Sequence, residues 1–358
     1  MVKFSIAAVM LLPSFAQQVS TPTWYNLAKL NVEGKGWQKT KSLYDRLPAT
    51  AEHVVREPVW DLAQDSAGLR YRFVTDADSL RARWKLRKPS LAMPHMAATG
   101  VSGLDLYVRD GDQWHWLAVG RPEKPEINEA TLVTGLKRGG REFMLYLPLY
   151  NGVDSVEIGV PADAKFESAP DRYGSMKPVV FYGTSILQGG CAARPGMAYP
   201  SIIGRMLDTP TINLGFSGNG KMEPEIAKLL AELDPSAYVL DSLPNLNPAE
   251  TAERLDPFVR TLRDAHPLTP IVFVENVTYS NAPYLDDRRA KANEVNALLR
   301  REYDKMATAG DKNLYYVPSS HLLGADGEDT VDGTHPTDLG FLRMAQGIAP
   351  VLTRALLK

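Results

Sequence analysis

The stretch Pro178-Val179-Val180-Phe181-Tyr182-Gly183-Thr184-Ser185-Ile186-Leu187-Gln188-Gly189-Gly190 joins an apolar run of strand length to a glycine-flanked turn that carries a serine. The same texture returns downstream. Apolar runs at Thr211–Leu214, Ala237–Asp241, Pro270–Glu275 and Leu314–Val317 alternate with helical stretches near 198–208, 221–233, 248–265, 285–308 and 337–357. Continuous apolar strands are buried on both faces, and the intervening helices supply the cover. The pattern therefore predicts an α/β fold: a three-layer, doubly wound domain on a five-stranded parallel sheet.

Upstream the period is different. Between about residues 50 and 165 apolar and polar residues alternate and are broken by Gly, Asp and Pro turns, which predicts an N-terminal antiparallel β-sandwich domain. In Leu80–Lys88, Arg81, Arg83, Lys85 and Arg87 alternate with Ala82, Trp84 and Leu86, giving one basic and one apolar face. The basic face reads as a solvated strand surface, with an acidic glycan as its other possible use. Leu104–Arg109 and Trp114–Val119 flank Asp110-Gly111-Asp112-Gln113 as one hairpin, and Phe143–Leu149 with Ser155–Val160 read as a second. Trp114 and Trp116 share a strand face, expected to be core rather than a sugar-stacking platform.

The chain has 358 residues with 44% hydrophobic content, enough for two domains and a large core. Its 42 acidic and 40 basic residues leave a formal charge of −2, which draws it to neither nucleic acid nor anionic membrane. Met1-Val2-Lys3, the apolar run Phe4–Leu12 and Pro13-Ser14-Phe15-Ala16 read as a secretory signal cut after Ala16. The run is about half the roughly 20 apolar residues a membrane span needs, so an exported protein with no membrane anchor is expected, periplasmic or secreted. The expected division is signal peptide 1–16, β-sandwich domain 17–165, linker 166–177 and catalytic domain 178–358. The single Cys191 cannot close an internal disulfide, and the six histidines lack the paired spacing of a zinc motif. Neither a metal nor another cofactor is expected.

Ligands of open α/β sheets bind beyond the carboxyl ends of the strands. Four blocks occupy those positions: Gly183-Thr184-Ser185, Gly215-Phe216-Ser217-Gly218-Asn219-Gly220, Ser242-Leu243-Pro244-Asn245 and Asp332-Gly333-Thr334-His335. A serine hydroxyl attacks only when a base takes its proton, and imidazole suits that task near neutrality. His335 is the candidate base, and Asp332, three residues earlier, can fix its tautomer. The amides of Ser185 and Gly218 and the side chain of Asn245 are candidate donors to an oxyanion, with Gly215 as a rival to Gly218.

In this order the four blocks make residues 178–357 resemble the SGNH hydrolases, also called the GDSL esterase and lipase superfamily. The resemblance implies Ser185 as nucleophile, His335 as base, Asp332 as its orienting acid, and Gly218 and Asn245 with Ser185 as the oxyanion hole. The first block lacks the family's usual Asp and the third its common Gly-x-Asn-Asp form. Gly103-Leu104-Asp105-Leu106-Tyr107 resembles a signature of the sandwich domain preceding some exported bacterial members, mostly carbohydrate esterases. The implied activity is a serine esterase removing a small acyl group, acetyl foremost, from an acylated carbohydrate. A lipase or thioesterase for longer chains, and a glycan-binding protein with a vestigial catalytic domain, are the alternatives. Locally, Asp332 and His335 can also be read as a cap for the last helix, Asn219 and Gly220 as a cap for the second, and Cys191 as a small buried side chain.

Overall fold

The computed structural model describes residues 21–357. The signal peptide expected at 1–16 lies outside them.

Two antiparallel sheets form the N-terminal half. A four-stranded sheet orders as β1-β8-β3-β6 and a five-stranded one as β5-β4-β7-β2-β9. The strands are β1 (Thr23–Asn26), β2 (Arg70–Thr75), β3 (Leu80–Leu86), β4 (Leu104–Asp110), β5 (Gln113–Gly120), β6 (Ile127–Val133), β7 (Arg141–Tyr146), β8 (Val153–Val160) and β9 (Phe166–Ser168). Short helices α1 (Glu57–Ala63) and α2 (Ala98–Val101) interrupt them. Phe73, Trp84, Leu106, Phe143, Val156 and Ile158 fill a shared core between the sheets. In β3 the alternation is as read: Leu80, Ala82, Trp84 and Leu86 are buried and Arg81, Arg83 and Lys85 face out, while Arg87, just past the strand, is mostly covered against buried Asp45. Those cations are already paired, Arg81 and Arg83 with Glu129 of β6, and Lys85 and Arg87 with Asp154 of β8.

Three expectations need correction. Phe143–Leu149 and Ser155–Val160 do not pair with each other, because β7 joins the five-stranded sheet and β8 the four-stranded one. The chain crosses the sandwich there instead of turning back. Trp116, set opposite Tyr107, is 50% exposed and not a core residue, whereas Trp114 on the same strand packs partly buried against Tyr107, Met144 and Tyr146. Phe166–Ser168, at the start of the expected linker, pairs with β2 as the edge strand β9.

The C-terminal sheet is parallel, ordered β11-β10-β12-β13-β14, from β10 (Val179–Gly183), β11 (Thr211–Gly215), β12 (Ala237–Asp241), β13 (Ile271–Val274) and β14 (Leu314–Val317). Its helices are α3 (Ser185–Gln188), α4 (Tyr199–Met206), α5 (Pro224–Ala231), α6 (Pro248–Ala265), α7 (Asp286–Thr308) and α8 (Asp338–Leu356). Alternate strand residues serve opposite layers. Val179, Phe181 and Val239 pack with Phe341 and Ile348 of α8, whereas Val180, Tyr182 and Leu240 pack with Ile226 of α5 and Phe258 of α6. The strand order reverses across β10, the topological switch point where such sheets bind ligands. No helix among the described residues is long and apolar enough to cross a membrane.

The two halves share more than a linker. Leu47, Ala51, Val55, Val59 and Trp60 belong to the α5–α6 side of the parallel sheet's core. Beside them, buried Arg46 donates to the carbonyls of Asn213 and Gly215 at 3.1 and 2.8 Å, tying the N-terminal segment to the end of β11.

Candidate active site

Three of the blocks follow the ends of β10, β11 and β12, and the fourth lies on the loop before α8. Gly183 closes β10 where a Cβ would lie 2.1 Å from the Asp241 carbonyl, so only glycine lets β10 and β12 end side by side. Thr184 caps α3, its hydroxyl accepting the Ile186 N–H at 3.3 Å. Ser185 is then the first residue of α3, where an N–H has no intrahelical acceptor, and its side chain points to the loop before α8.

There Ser185 Oγ lies 2.9 Å from His335 Nε2, and His335 Nδ1 lies 2.8 Å from Asp332 Oδ2. The other Asp332 oxygen accepts the N–H groups of Thr334 and His335 at 2.9 and 2.8 Å. Partial burial pushes this carboxyl up, but the hydrogen bonds from His335 and Thr334 outweigh it and hold it at about 2. The residue is thus a carboxylate acceptor at any ordinary pH. Thr337, not Asp332 or His335, caps α8 by accepting the Gly340 N–H, so the capping reading of this loop falls away.

The loop is pinned at its base and braced at its side. Thr330 and Pro336 form an antiparallel bridge, and the Val331 N–H donates to the His335 carbonyl at 2.9 Å. Gly333, at φ +84, turns its carbonyl to the Ser280 N–H, and a side chain there would strike Asn281. The segment after β13 therefore buttresses the Asp332–His335 loop.

Gly218 has φ +69, open space where a Cβ would stand, and an N–H that makes no hydrogen bond among the described residues. Its loop is set by Gln188, whose Oε1 accepts the Ser217 N–H at 3.0 Å. Gly215, the rival, packs so tightly on α3 that a Cβ would lie 2.2 Å from the Gln188 nitrogen, so it is a packing glycine. Asn245 Oδ1 accepts the Gly220 N–H at 3.2 Å. Because that partner is a donor, the amide must face it with oxygen, leaving the NH₂ group for a ligand. Behind Asn245, Asn247 and Glu250 form a capping box that fixes where α6 begins. Neither Asn219 nor Gly220 caps α5, whose cap position is Glu223.

The fold adds residues that sequence spacing did not flag. His95, from the N-terminal half, stands with its ring centroid 5.5 Å from that of His335. Cys191 is buried and free, as read, and burial with the nearby Asp332 charge pushes its thiol up to about 12. Asp105 of the Gly103–Tyr107 stretch is fully buried and accepts from Arg194 at 2.9 Å, the Gly196 N–H at 2.7 Å and the Trp116 indole at 3.0 Å. Desolvation pushes its carboxyl up against the pull of Arg194. This aspartate ties the sandwich to the loop that follows Ser185.

Among known structures, a GDSL-like lipase from Bacteroides ovatus ATCC 8483 is 35% identical, covers 94% of this chain and 98% of its own, and superposes with a TM-score of 0.89. The chain belongs to the GDSL-like lipase/acylhydrolase family. Residues 176–353 match the model of that family, and residues 22–166 match the one described as the N-terminus of SGNH-hydrolase-type esterases. Two more distant structures share the fold. The salicylyl-acyltransferase SsfX3 from a tetracycline biosynthetic pathway is 19% identical over 93% of this chain and 97% of its own, with a TM-score of 0.73. The acetyl xylan esterase Est2A from the rumen bacterium Butyrivibrio proteoclasticus is 12% identical over 94% and 99%, with a TM-score of 0.57. No curated protein matches the sequence. The GDSL-like family is one of ester hydrolases, and the chain joins its parallel-sheet core to the antiparallel N-terminal domain of SGNH-type esterases.

Proposed function

We propose that this family member is an exported serine esterase that removes a small acyl group, acetyl foremost, from a carbohydrate through an acyl-enzyme on Ser185. The observation that carries the reading is the continuous chain Ser185 Oγ, His335 Nε2, His335 Nδ1, Asp332 Oδ2, with links of 2.9 and 2.8 Å. In the proposed reaction His335 Nε2 takes the hydroxyl proton as Oγ attacks the ester carbonyl, while Asp332 holds the ring and its developing charge. The oxyanion is received by the N–H groups of Ser185 and Gly218 and the Asn245 side-chain NH₂. His335 then returns the proton to the departing alcohol. Water, activated by the same nitrogen, releases the acid and restores Ser185.

Support for a sugar as the alcohol comes from Trp116. Its half-exposed indole is held by Asp105 and lies under Arg194, on the loop that also carries Cys191 beside His335. A fixed, half-exposed indole is a surface on which a pyranose face can stack. The acetyl xylan esterase Est2A and family two carbohydrate esterases share the fold, and their names point the same way.

The test is hydrolysis of 4-nitrophenyl acetate, butyrate and octanoate, and of acetylated xylo-oligosaccharides, by wild type and Ser185→Ala. Activity confined to short acyl groups and reduced on the order of 10⁶-fold in the variant supports the reading. Preference for octanoate overturns the acetyl assignment, and full activity in Ser185→Ala overturns the mechanism.

A further inference from the structure

Three metal-competent side chains far apart in sequence converge beside the triad. One ligand atom each from His95, Cys191 and His335 lies within 4.8 Å of the others. Each is held there by backbone. Pro94-His95 is the tip of a turn closed by reciprocal hydrogen bonds between Met93 and Met96 at 3.1 and 3.0 Å, and Met96 is anchored in the core under the parallel sheet. Cys191 has φ +78 and follows Gly190, where a Cβ would lie 3.2 Å from His335 Cδ2. Neither His95 nor the Cys191 thiol is needed for the proposed hydrolysis.

Two imidazoles and a thiolate are the donor set that borderline-soft divalent ions select. In a tetrahedral zinc site, bonds of about 2.0–2.3 Å place ligand atoms roughly 3.3–3.6 Å apart. Closing the 4.8 Å span therefore asks for a shift of about 1–1.5 Å, the size of a side-chain rotation at His95 that leaves the His335–Asp332 bond in place. His335 already has the outer partner of a zinc histidine, since its Nδ1 meets the Asp332 carboxylate at 2.8 Å.

We propose that His95, Cys191 and His335 form an inhibitory site for a thiophilic divalent cation, Zn²⁺ foremost, which stops hydrolysis by occupying His335 Nε2. Its inhibitory consequence rests on the reading of His335 as base; the binding itself does not. On binding, the Cys191 thiol releases its proton to water and Nε2 exchanges the Ser185 hydroxyl for a metal bond. The fourth position is left to water. Free enzyme and metal-blocked enzyme then differ in who holds one nitrogen lone pair.

The experiment uses Co²⁺ and Zn²⁺ chloride with chelator-treated wild type, Cys191→Ser, Cys191→Ala, His95→Ala and Ser185→Ala. Co²⁺ should give a thiolate-to-metal charge-transfer band in wild type and in Ser185→Ala, and none in either Cys191 variant. The Zn²⁺ concentration that halves 4-nitrophenyl acetate hydrolysis should rise by at least about tenfold in Cys191→Ser and His95→Ala. Absence of the cobalt band in wild type, or unchanged Zn²⁺ inhibition in both variants, overturns the site. If Ser185→Ala hydrolyses ester as wild type does, the serine mechanism fails while the cobalt band still decides whether the metal site exists.

Discussion

Asp332 holds His335 twice, through Oδ2 to the ring Nδ1 and through Oδ1 to the backbone N–H, both at 2.8 Å. One carboxylate thus sets both the tautomer of the ring and the shape of the loop that carries it. Asp332→Asn should lower kcat by on the order of 10³–10⁴-fold, because an amide facing Nδ1 with its NH₂ group disfavours the required tautomer. The pH sign follows from the carboxyl lying at about 2, below its ordinary 3.8. A depressed acid contributes stability that is fully present above the ordinary value and is lost as pH falls through about 2. The difference in melting temperature between wild type and Asp332→Asn should therefore stay constant above about pH 4 and shrink toward pH 2. A difference that persists unchanged down to about pH 2 would contradict this.

The Asn245 oxygen holds the Gly220 N–H at 3.2 Å, which leaves its NH₂ group for the oxyanion role proposed above. Asn245→Ala should cut kcat by about 10²–10³-fold with a small change in KM. The two glycines of the neighbouring block should separate cleanly. Gly215→Ala must push a methyl into Gln188 at the end of α3 and should melt well below wild type, whereas Gly218→Ala meets no neighbour and should cost only the strain of its left-handed backbone, about 1–2 kcal/mol. Equal melting temperatures for the two glycine variants would contradict the packing role of Gly215.

How much of this was legible in the sequence can be judged at particular residues. The five parallel strands are legible because each is a mostly apolar run, and Ser185, Gly218 and Asn245 stand out as candidates because they come just after such runs, with Asp332 and His335 ahead of the last helix. The failures were long-range. Nothing local distinguishes β7 and β8 as partners from β7 and β8 in different sheets, since both alternate with the same period. Nor does any pattern bring residues 47–63 onto the far side of a sheet that begins more than a hundred residues later. His95 was missed for the same reason, being 240 positions from His335; its only local signal is a proline turn between two methionines.

Trp84 and Trp116 show the opposite uses of an indole. Trp84 is fully buried with its N–H on the Ser102 carbonyl at 3.1 Å, and Trp84→Ala should cost about 3–5 kcal/mol of stability. Trp116→Ala loses a hydrogen bond to buried Asp105, should lower stability by about 1–3 kcal/mol, and should raise KM for an acetylated oligosaccharide while sparing 4-nitrophenyl acetate. Equal effects on both substrates would remove Trp116 from sugar binding.

Asp241, at the end of β12, is buried with Oδ2 accepting the Tyr199 hydroxyl at 2.9 Å and Oδ1 without a partner among the described residues. Desolvation pushes this carboxyl up to about 7 despite the Tyr199 bond. Here the folded state holds the proton more tightly, so stability should fall as pH rises from about 4 to about 7 and stay at the lower level beyond. Asp241→Asn should flatten that slope in thermal melts. An unchanged slope would assign the pH dependence elsewhere.

The most direct test of the account is to quench wild type and Ser185→Ala during turnover of 4-nitrophenyl acetate and weigh their peptides. The account predicts one acetyl group on the peptide that contains Ser185 in wild type, accompanied by a burst of nitrophenol, and neither in the variant. Acetyl on another residue, or a burst of the same size from Ser185→Ala, would contradict it.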